Sequence, residues 1–110
     1  MNNFLFAYGT LNDPEVQQYV FQRILEGEED LLPCYRISNK KLYGRYLVLE
    51  HTGNEGDTIS GCIYRVDSRE LVKADVYEGP AYDRINVVLG SGREAWVYVE
   101  RLTKKPGNEL

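Results

Sequence analysis

Phe4-Leu5-Phe6-Ala7-Tyr8 is apolar or aromatic at five successive positions and stops at Gly9. A half-exposed strand would alternate, whereas an unbroken short run fits a strand buried on both faces. The other elements have to supply that cover, and 110 residues are enough for one domain and too few for two.

The strand reads as Asn3 to Tyr8. Asn12-Asp13-Pro14-Glu15 then announces a helix: Asn12 or Asp13 can cap it, Pro14 suits its first turn, and Glu15 favours its positive end. Val16, Tyr19, Val20 and Ile24 recur at helical spacing, and Phe21 and Leu25 widen the stripe. Gly27 is expected to end this helix, with Glu28-Glu29-Asp30 as a solvated acidic loop. Strands are expected over Leu32 to Ser38 and Leu42 to Leu49, joined by Asn39-Lys40-Lys41, with a loop from Glu50 to Asp57.

Thr58 to Val66 alternates, with Ile59, Gly61 and Ile63 on one side and Cys62, Tyr64 and Val66 on the other. Asp67 stands three residues before Glu70, the spacing of a capping box. The short helix that follows carries Leu71, Ala74, Val72 and Val76 and ends at Gly79-Pro80. Tyr82 to Leu89 and Ala95 to Arg101 form a hairpin around Gly90-Ser91-Gly92, and Thr103 to Leu110 is a polar tail. The expected order is β, α, β, β, β, α, β, β. It describes an α+β domain over residues 1–102, a small mixed, largely antiparallel β-barrel flanked by two α-helices.

Thirteen basic against seventeen acidic residues give a net charge of −4, which repels phosphate backbones and argues against nucleic acid as a partner. No apolar run approaches the ~18 residues of a membrane-spanning helix. Met1-Asn2-Asn3-Phe4 lacks the basic and apolar regions of a secretory signal, so the expected location is the cytoplasm. Cys34 and Cys62 are then expected to be reduced and unpaired. With one histidine, His51, they do not make up a four-ligand zinc site, and no metal is expected. Nine tyrosines fit a strand-rich domain with a semi-polar interior.

Two places can carry chemistry. Tyr8-Gly9-Thr10-Leu11 runs a strand into a glycine turn ahead of a helix, where backbone N–H groups can face an anion, or the turn is an ordinary connection. Glu78 sits where the short helix stops, opposing the helix dipole, so it is either a solvated acid or a deliberate placement. Arg84, in Tyr82-Asp83-Arg84, can pair with Asp83 or a neighbouring acid, or hold a carboxylate ligand. His51 has no visible nucleophile partner, and no phosphate-binding or zinc-protease motif is present.

Both places resemble one family. Phe6-Ala7-Tyr8-Gly9-Thr10-Leu11 resembles the Tyr-Gly-[Ser/Thr]-Leu signature of the gamma-glutamylcyclotransferase-like superfamily. Asp75-Val76-Tyr77-Glu78-Gly79 with Tyr82-Asp83-Arg84 is similar to its Leu-Asp-x-[Tyr/Phe]-Glu-Gly…Tyr-x-Arg segment. Ser60 to Val66 resembles its Gly-x-[Leu/Ile]-Tyr-x-Val strand, and Ala95 to Val99 its closing Ala-Trp-x-Tyr strand. The likeness spans about residues 4 to 100. Its length is nearest the small gamma-glutamylamine cyclotransferase and bacterial homologue branch.

The resemblance implies a cofactor-free reaction in which a gamma-glutamyl compound closes on itself, giving 5-oxoproline and a free amine. It places the backbone of Tyr8, Gly9, Thr10 and Leu11 around the substrate, counts Tyr82 and Arg84 among the binding residues, and makes Glu78 the proton acceptor. A monomer is sufficient for such a site. Alkylamines, amino acids and gamma-glutamyl-lysine isopeptides all remain open as the amine half. Two positions depart from the family pattern: Ala74 replaces a usual Leu, and Asn12 a frequently basic residue. The alternative function is a binding module that keeps the pocket without the reaction. An amine near 8 gives up its proton to a normal Glu carboxylate near 4.3 uphill by about 5 kcal/mol. Burial that raised Glu78 to about 6 would cut this to about 2.7 kcal/mol.

Overall fold

A computed structural model describes residues 2–38 and 48–101. In chain order it contains β1 (Asn2–Ala7), a 3-10 turn (Thr10–Asn12), α1 (Pro14–Phe21), β2 (Gly27–Pro33), β3 (Tyr35–Ile37) and β4 (Leu49–His51). These are followed by β5 (Thr58–Asp67), α2 (Ser68–Glu78), β6 (Tyr82–Val88) and β7 (Glu94–Glu100). The expected Asn39-Lys40-Lys41 link, most of the Leu42 to Leu49 strand and the Thr103 to Leu110 tail lie outside the described residues.

The main sheet has the order β2-β5-β1-β7-β6, and β3 and β4 make a separate two-stranded sheet. β1 is central, antiparallel to β5 and parallel to β7, and the remaining pairs are antiparallel. The doubly apolar run thus occupies the middle of the sheet. Leu5 and Ala7 join Val20, Phe21, Tyr64, Val66, Leu71, Ala74 and Tyr98 under the two helices. Phe6 joins Leu32, Leu49, Ile59, Ile63, Ala95 and Val97 on the other face.

The sheet is not closed into a barrel: β2 and β6 are its edges. A clasp links the β2 edge to the β6–β7 turn instead. The Gly90 N–H donates to the Leu31 carbonyl at 2.7 Å, and the Ser91 hydroxyl donates to the Asp30 carboxylate at 2.6 Å. The Ser91 and Leu31 N–H groups also donate to Asp30, at 3.2 and 2.8 Å. Burial pushes the Asp30 carboxyl upward, but these donors and Arg93 outweigh it and hold it below the usual carboxylate range.

Helix α1 stops at Phe21, well before Gly27, with Gln22 in the left-handed region (φ 59°) as its C-cap. Tyr19, within α1, and Ile24, beyond its end, are both exposed rather than part of the apolar stripe. Buried Gln17 holds the departing chain: its amide donates to the Leu11 carbonyl at 2.8 Å, and its Oε1 accepts from the Leu25 N–H at 2.9 Å. Gly27 instead opens β2 opposite Tyr64, where a Cβ would collide with the tyrosine ring. Glu28-Glu29-Asp30, expected as a loop, is strand. Acids are poor strand formers, but charge suits an edge that must not pair with another chain.

The α2 start is as the spacing predicts. Asp67 accepts from the Glu70 N–H at 2.8 Å, and Glu70 accepts from the Asp67 N–H at 3.0 Å. Arg23 adds a fork to the Glu70 carboxylate at 2.7 and 2.9 Å, joining the segment after α1 to α2. Val72 and Val76, placed in the apolar face by the sequence reading, are exposed, and Leu71 and Ala74 carry that face alone with the buried stem of Glu70. Ala74 has no exposed surface, so its neighbours close over the smaller side chain. Cys34 and Cys62 are free. No helix among the described residues is long and apolar enough to cross a membrane, and no group of His, Cys, Asp and Glu among them could hold a metal ion.

Candidate active site

Helix α2 delivers Glu78 as its last residue. Gly79 caps it at φ 86°, ψ −179°, a conformation essentially restricted to glycine, and its N–H donates to the Asp75 carbonyl at 3.0 Å. The helix therefore ends sharply, and β6 begins three residues later. On the far side of the chain, β1 runs through Tyr8 and Gly9 into the 3-10 turn. The two segments meet: Thr10 Oγ1 and the Tyr77 hydroxyl are hydrogen bonded at 2.7 Å across 67 positions of sequence.

Tyr8 lies close enough to Glu78 for the carboxylate charge to oppose its ionisation, and burial, the larger cause, holds its phenol well above the ordinary tyrosine range. The Tyr8 hydroxyl donates to the Tyr98 carbonyl at 2.6 Å. The Tyr98 phenol, also raised mainly by burial, feels Asp75, Arg84 and Glu78 together. Glu78 makes no hydrogen bond or ion pair among the described residues. Burial pushes its carboxyl up to about 7. Its place at the C-terminal end of α2 acts in the same direction.

The Thr10 and Leu11 N–H groups find no acceptor among the described residues, as expected of the first donors of a helical turn. The Leu11 side chain is buried in the core, so this residue can offer a ligand only its backbone. Gly9 has a negative φ of −128°, and a Cβ there would meet nothing within 4 Å. The turn itself does not require glycine. What Gly9 provides is open space in front of the main chain. Asn12 is structural: it donates to the Ala7 carbonyl at 2.8 Å and accepts from the Tyr64 hydroxyl at 2.9 Å.

Arg84 forms an ion pair, and its partner is Asp75. Nε and Nη2 donate to the two Asp75 oxygens at 2.8 and 3.1 Å, and the guanidinium lies 4.6 Å from the centre of the Trp96 ring. Asp83 pairs with Arg101 instead, at 2.7 Å. Tyr98 donates to Asp75 Oδ1 at 2.6 Å. Tyr77, Asp75 and Tyr98 were not among the expected site residues because their partners are remote in sequence, although Asp75 and Tyr77 lie in the family-like segment before Gly79 and Tyr98 in the Ala-Trp-x-Tyr strand. His51 stands apart, edge-on to Tyr35 in the small sheet. A groove of about 550 Å³ runs along α2 and β6, lined by residues including Val76, Pro80, Tyr82 and Tyr98. Glu78 and residues 8–11 are not in its lining.

The mixed sheet with its two helices matches the fold of solved structures. The chain belongs to the gamma-glutamyl cyclotransferase, AIG2-like family, whose model matches residues 5–110. It is similar to a protein of Arabidopsis thaliana solved in solution, with 22% identity and a TM-score of 0.74 over 91% of this chain and 62% of that one. A second Arabidopsis thaliana protein shares 25% identity at a TM-score of 0.75, covering 96% and 73% of the two chains. An AIG2-like protein of Mus musculus shares 19% identity at a TM-score of 0.73, covering 96% and 81%. No curated protein matches the chain.

Proposed function

We propose that the protein is a gamma-glutamyl cyclotransferase that releases 5-oxoproline and a free amine, with Glu78 as its acid/base. The alpha-amino nitrogen of the glutamyl group attacks its own gamma-carbonyl carbon, and Glu78 takes the proton that nitrogen loses. The bond from the gamma-carbon to the departing nitrogen then breaks, and Glu78 returns the proton to the leaving amine. The reaction as written is balanced without a cofactor. Because nucleophile and carbonyl belong to one molecule, binding has only to fold the glutamyl group into a five-membered shape.

The observation that carries this reading is the Glu78 carboxyl itself, desolvated, without an ion-pair partner, and raised to about 7. That value lies near the optimum for a group that must both accept and donate a proton at neutral pH. The Thr10 and Leu11 N–H groups, held beside it through the Thr10–Tyr77 bond, are the donors for the substrate's carboxylate or its developing oxyanion. Tyr8, whose phenol feels both Tyr82 and Glu78, walls the same end. Arg84 holds Asp75. All these residues come from one chain, so a monomer suffices, and the cytoplasm is the proposed place of action.

The test is incubation with a panel of gamma-glutamyl amines, amino acids and gamma-glutamyl-lysine, followed by detection of 5-oxoproline. Release from at least one compound is expected. Binding of these compounds with no 5-oxoproline from any of them would make the protein a binding module instead.

A further inference from the structure

Two charged groups of opposite sign approach the reactive end, and only one of them is paired. Asp75 and Glu78 are three residues apart in the last turn of α2, a spacing that places them on one side of the helix. Arg84 comes from β6, directly opposite Tyr98 of β7 in the ladder. Its fork closes on Asp75, its flat face rests on Trp96, and Tyr98 donates to the same Asp75 oxygen as Arg84 Nε. Among the described residues Glu78 has no such partner, although the charges of Asp75, Arg84 and Glu78 all converge on the Tyr98 phenol.

We propose that Asp75 is a positioning residue that occupies the Arg84 guanidinium and so denies Glu78 an ion-pair partner, keeping the Glu78 carboxyl available for proton transfer. This rests on the reading of Glu78 as the acid/base. An arginine released near a carboxylate stabilises its charged form, and an opposite charge within about 4–6 Å lowers a carboxyl by one to three pH units. The other groups facing Glu78 do not compensate. Tyr8 from β1 and Tyr98 from β7 are neutral phenols at neutral pH, and Thr10 and Tyr77 are bonded to each other. Asp75 and Arg84 are the ionised side chains that share the Tyr98 phenol with Glu78, and they are paired with each other.

The experiment follows Glu78 directly. The side-chain carboxyl carbons of glutamate are labelled with 13C, and Glu78 is assigned by the signal missing from Glu78→Gln. Its titration midpoint is then read by NMR in the full chain, in Asp75→Asn and in Arg84→Gln. In Asp75→Asn the midpoint is expected to fall by about one pH unit or more. In Arg84→Gln it is expected to rise, since Asp75 is left uncompensated three residues away. The double variant should return close to the parent value. An unchanged or raised midpoint in folded Asp75→Asn overturns the inference. If that variant does not fold, Arg84→Gln decides: an unchanged or lowered midpoint overturns it.

None of these readings needs turnover. The acid limb of kcat/KM should follow the NMR midpoint from variant to variant. A midpoint that moves while the rate profile stays put supports the role of Asp75 and sinks that of Glu78.

Discussion

Replacing Glu78 with Gln keeps the side chain's size and hydrogen-bonding reach and removes only its capacity to exchange a proton. The magnitude follows from the site. An amine near 8 facing a carboxyl at about 7 loses its proton uphill by about one pH unit, or about 1.4 kcal/mol, against about 5 kcal/mol for an ordinary glutamate. Desolvation of Glu78 thus removes most of the proton-transfer cost, and Gln forfeits the whole pathway. We expect kcat for 5-oxoproline release to fall by roughly 10²–10⁴-fold, with ligand affinity retained because the N–H donors are untouched. In the parent, the acid limb of kcat/KM should lie near pH 7 rather than near the 4.5 of an ordinary glutamate.

Stability supplies a second readout. The folded value of Glu78 is raised, so its contribution is fully present below about 4.5 and is lost as the pH rises through about 7. Gln does not titrate. Its variant should therefore gain on the parent in denaturant melts between those values and hold that gain above pH 7. The gap of about 2.5 pH units bounds the gain at about 3 kcal/mol, reduced by whatever water reaches the carboxylate. A folded Glu78→Gln protein whose kcat stays within about threefold of the parent would refute the assignment.

The remaining expectations are local. Gly79→Ala forces a Cβ into a glycine-only conformation, so thermal or urea melts should show a loss of about 1–3 kcal/mol, with turnover falling as Glu78 is displaced. Gly9→Ala should fold with unchanged melting behaviour, since its Cβ meets no protein atom; a rise in KM would show that substrate uses that space, and an unaltered KM would remove Gly9 from the binding surface. Asp30→Asn weakens the clasp between β2 and the β6–β7 turn by about 1–3 kcal/mol at neutral pH. Because the Asp30 carboxyl is held below its ordinary value, this difference is present above about pH 4 and should narrow as the pH falls through the folded value; a melt difference that does not narrow on acidification would count against the clasp.

Much of the chain's local punctuation is legible in its sequence. The unbroken run from Phe4 marked the central strand, Asp67 and Glu70 marked the start of α2, and Gly79-Pro80 marked its end. Each of these signals acts over a few residues, where the chain's own geometry brings donor and acceptor together. Residues 8–11 and Glu78 were legible as candidates through their resemblance to a family pattern, while their proximity was not. It depends on the parallel pairing of β1 with β7 and on the Thr10–Tyr77 bond, both made between segments distant in sequence.

The end of α1 shows the opposite case. Helical periodicity continues to Leu25, but Gly27 must lie against Tyr64 for β2 to pair with β5, and that contact overrides local propensity. The partner of Arg84 could not be read either: Asp83 is adjacent in sequence, but side chains alternate along a strand, so the guanidinium reaches Asp75 while Asp83 turns to Arg101. The sequence by itself determined the caps, the hairpin and the two faces of β1. Tertiary structure alone decided the open sheet, the Asp75–Arg84 pair and the burial that moves Glu78 toward neutrality, because strand pairing, charge pairing and desolvation are fixed only when remote segments have packed.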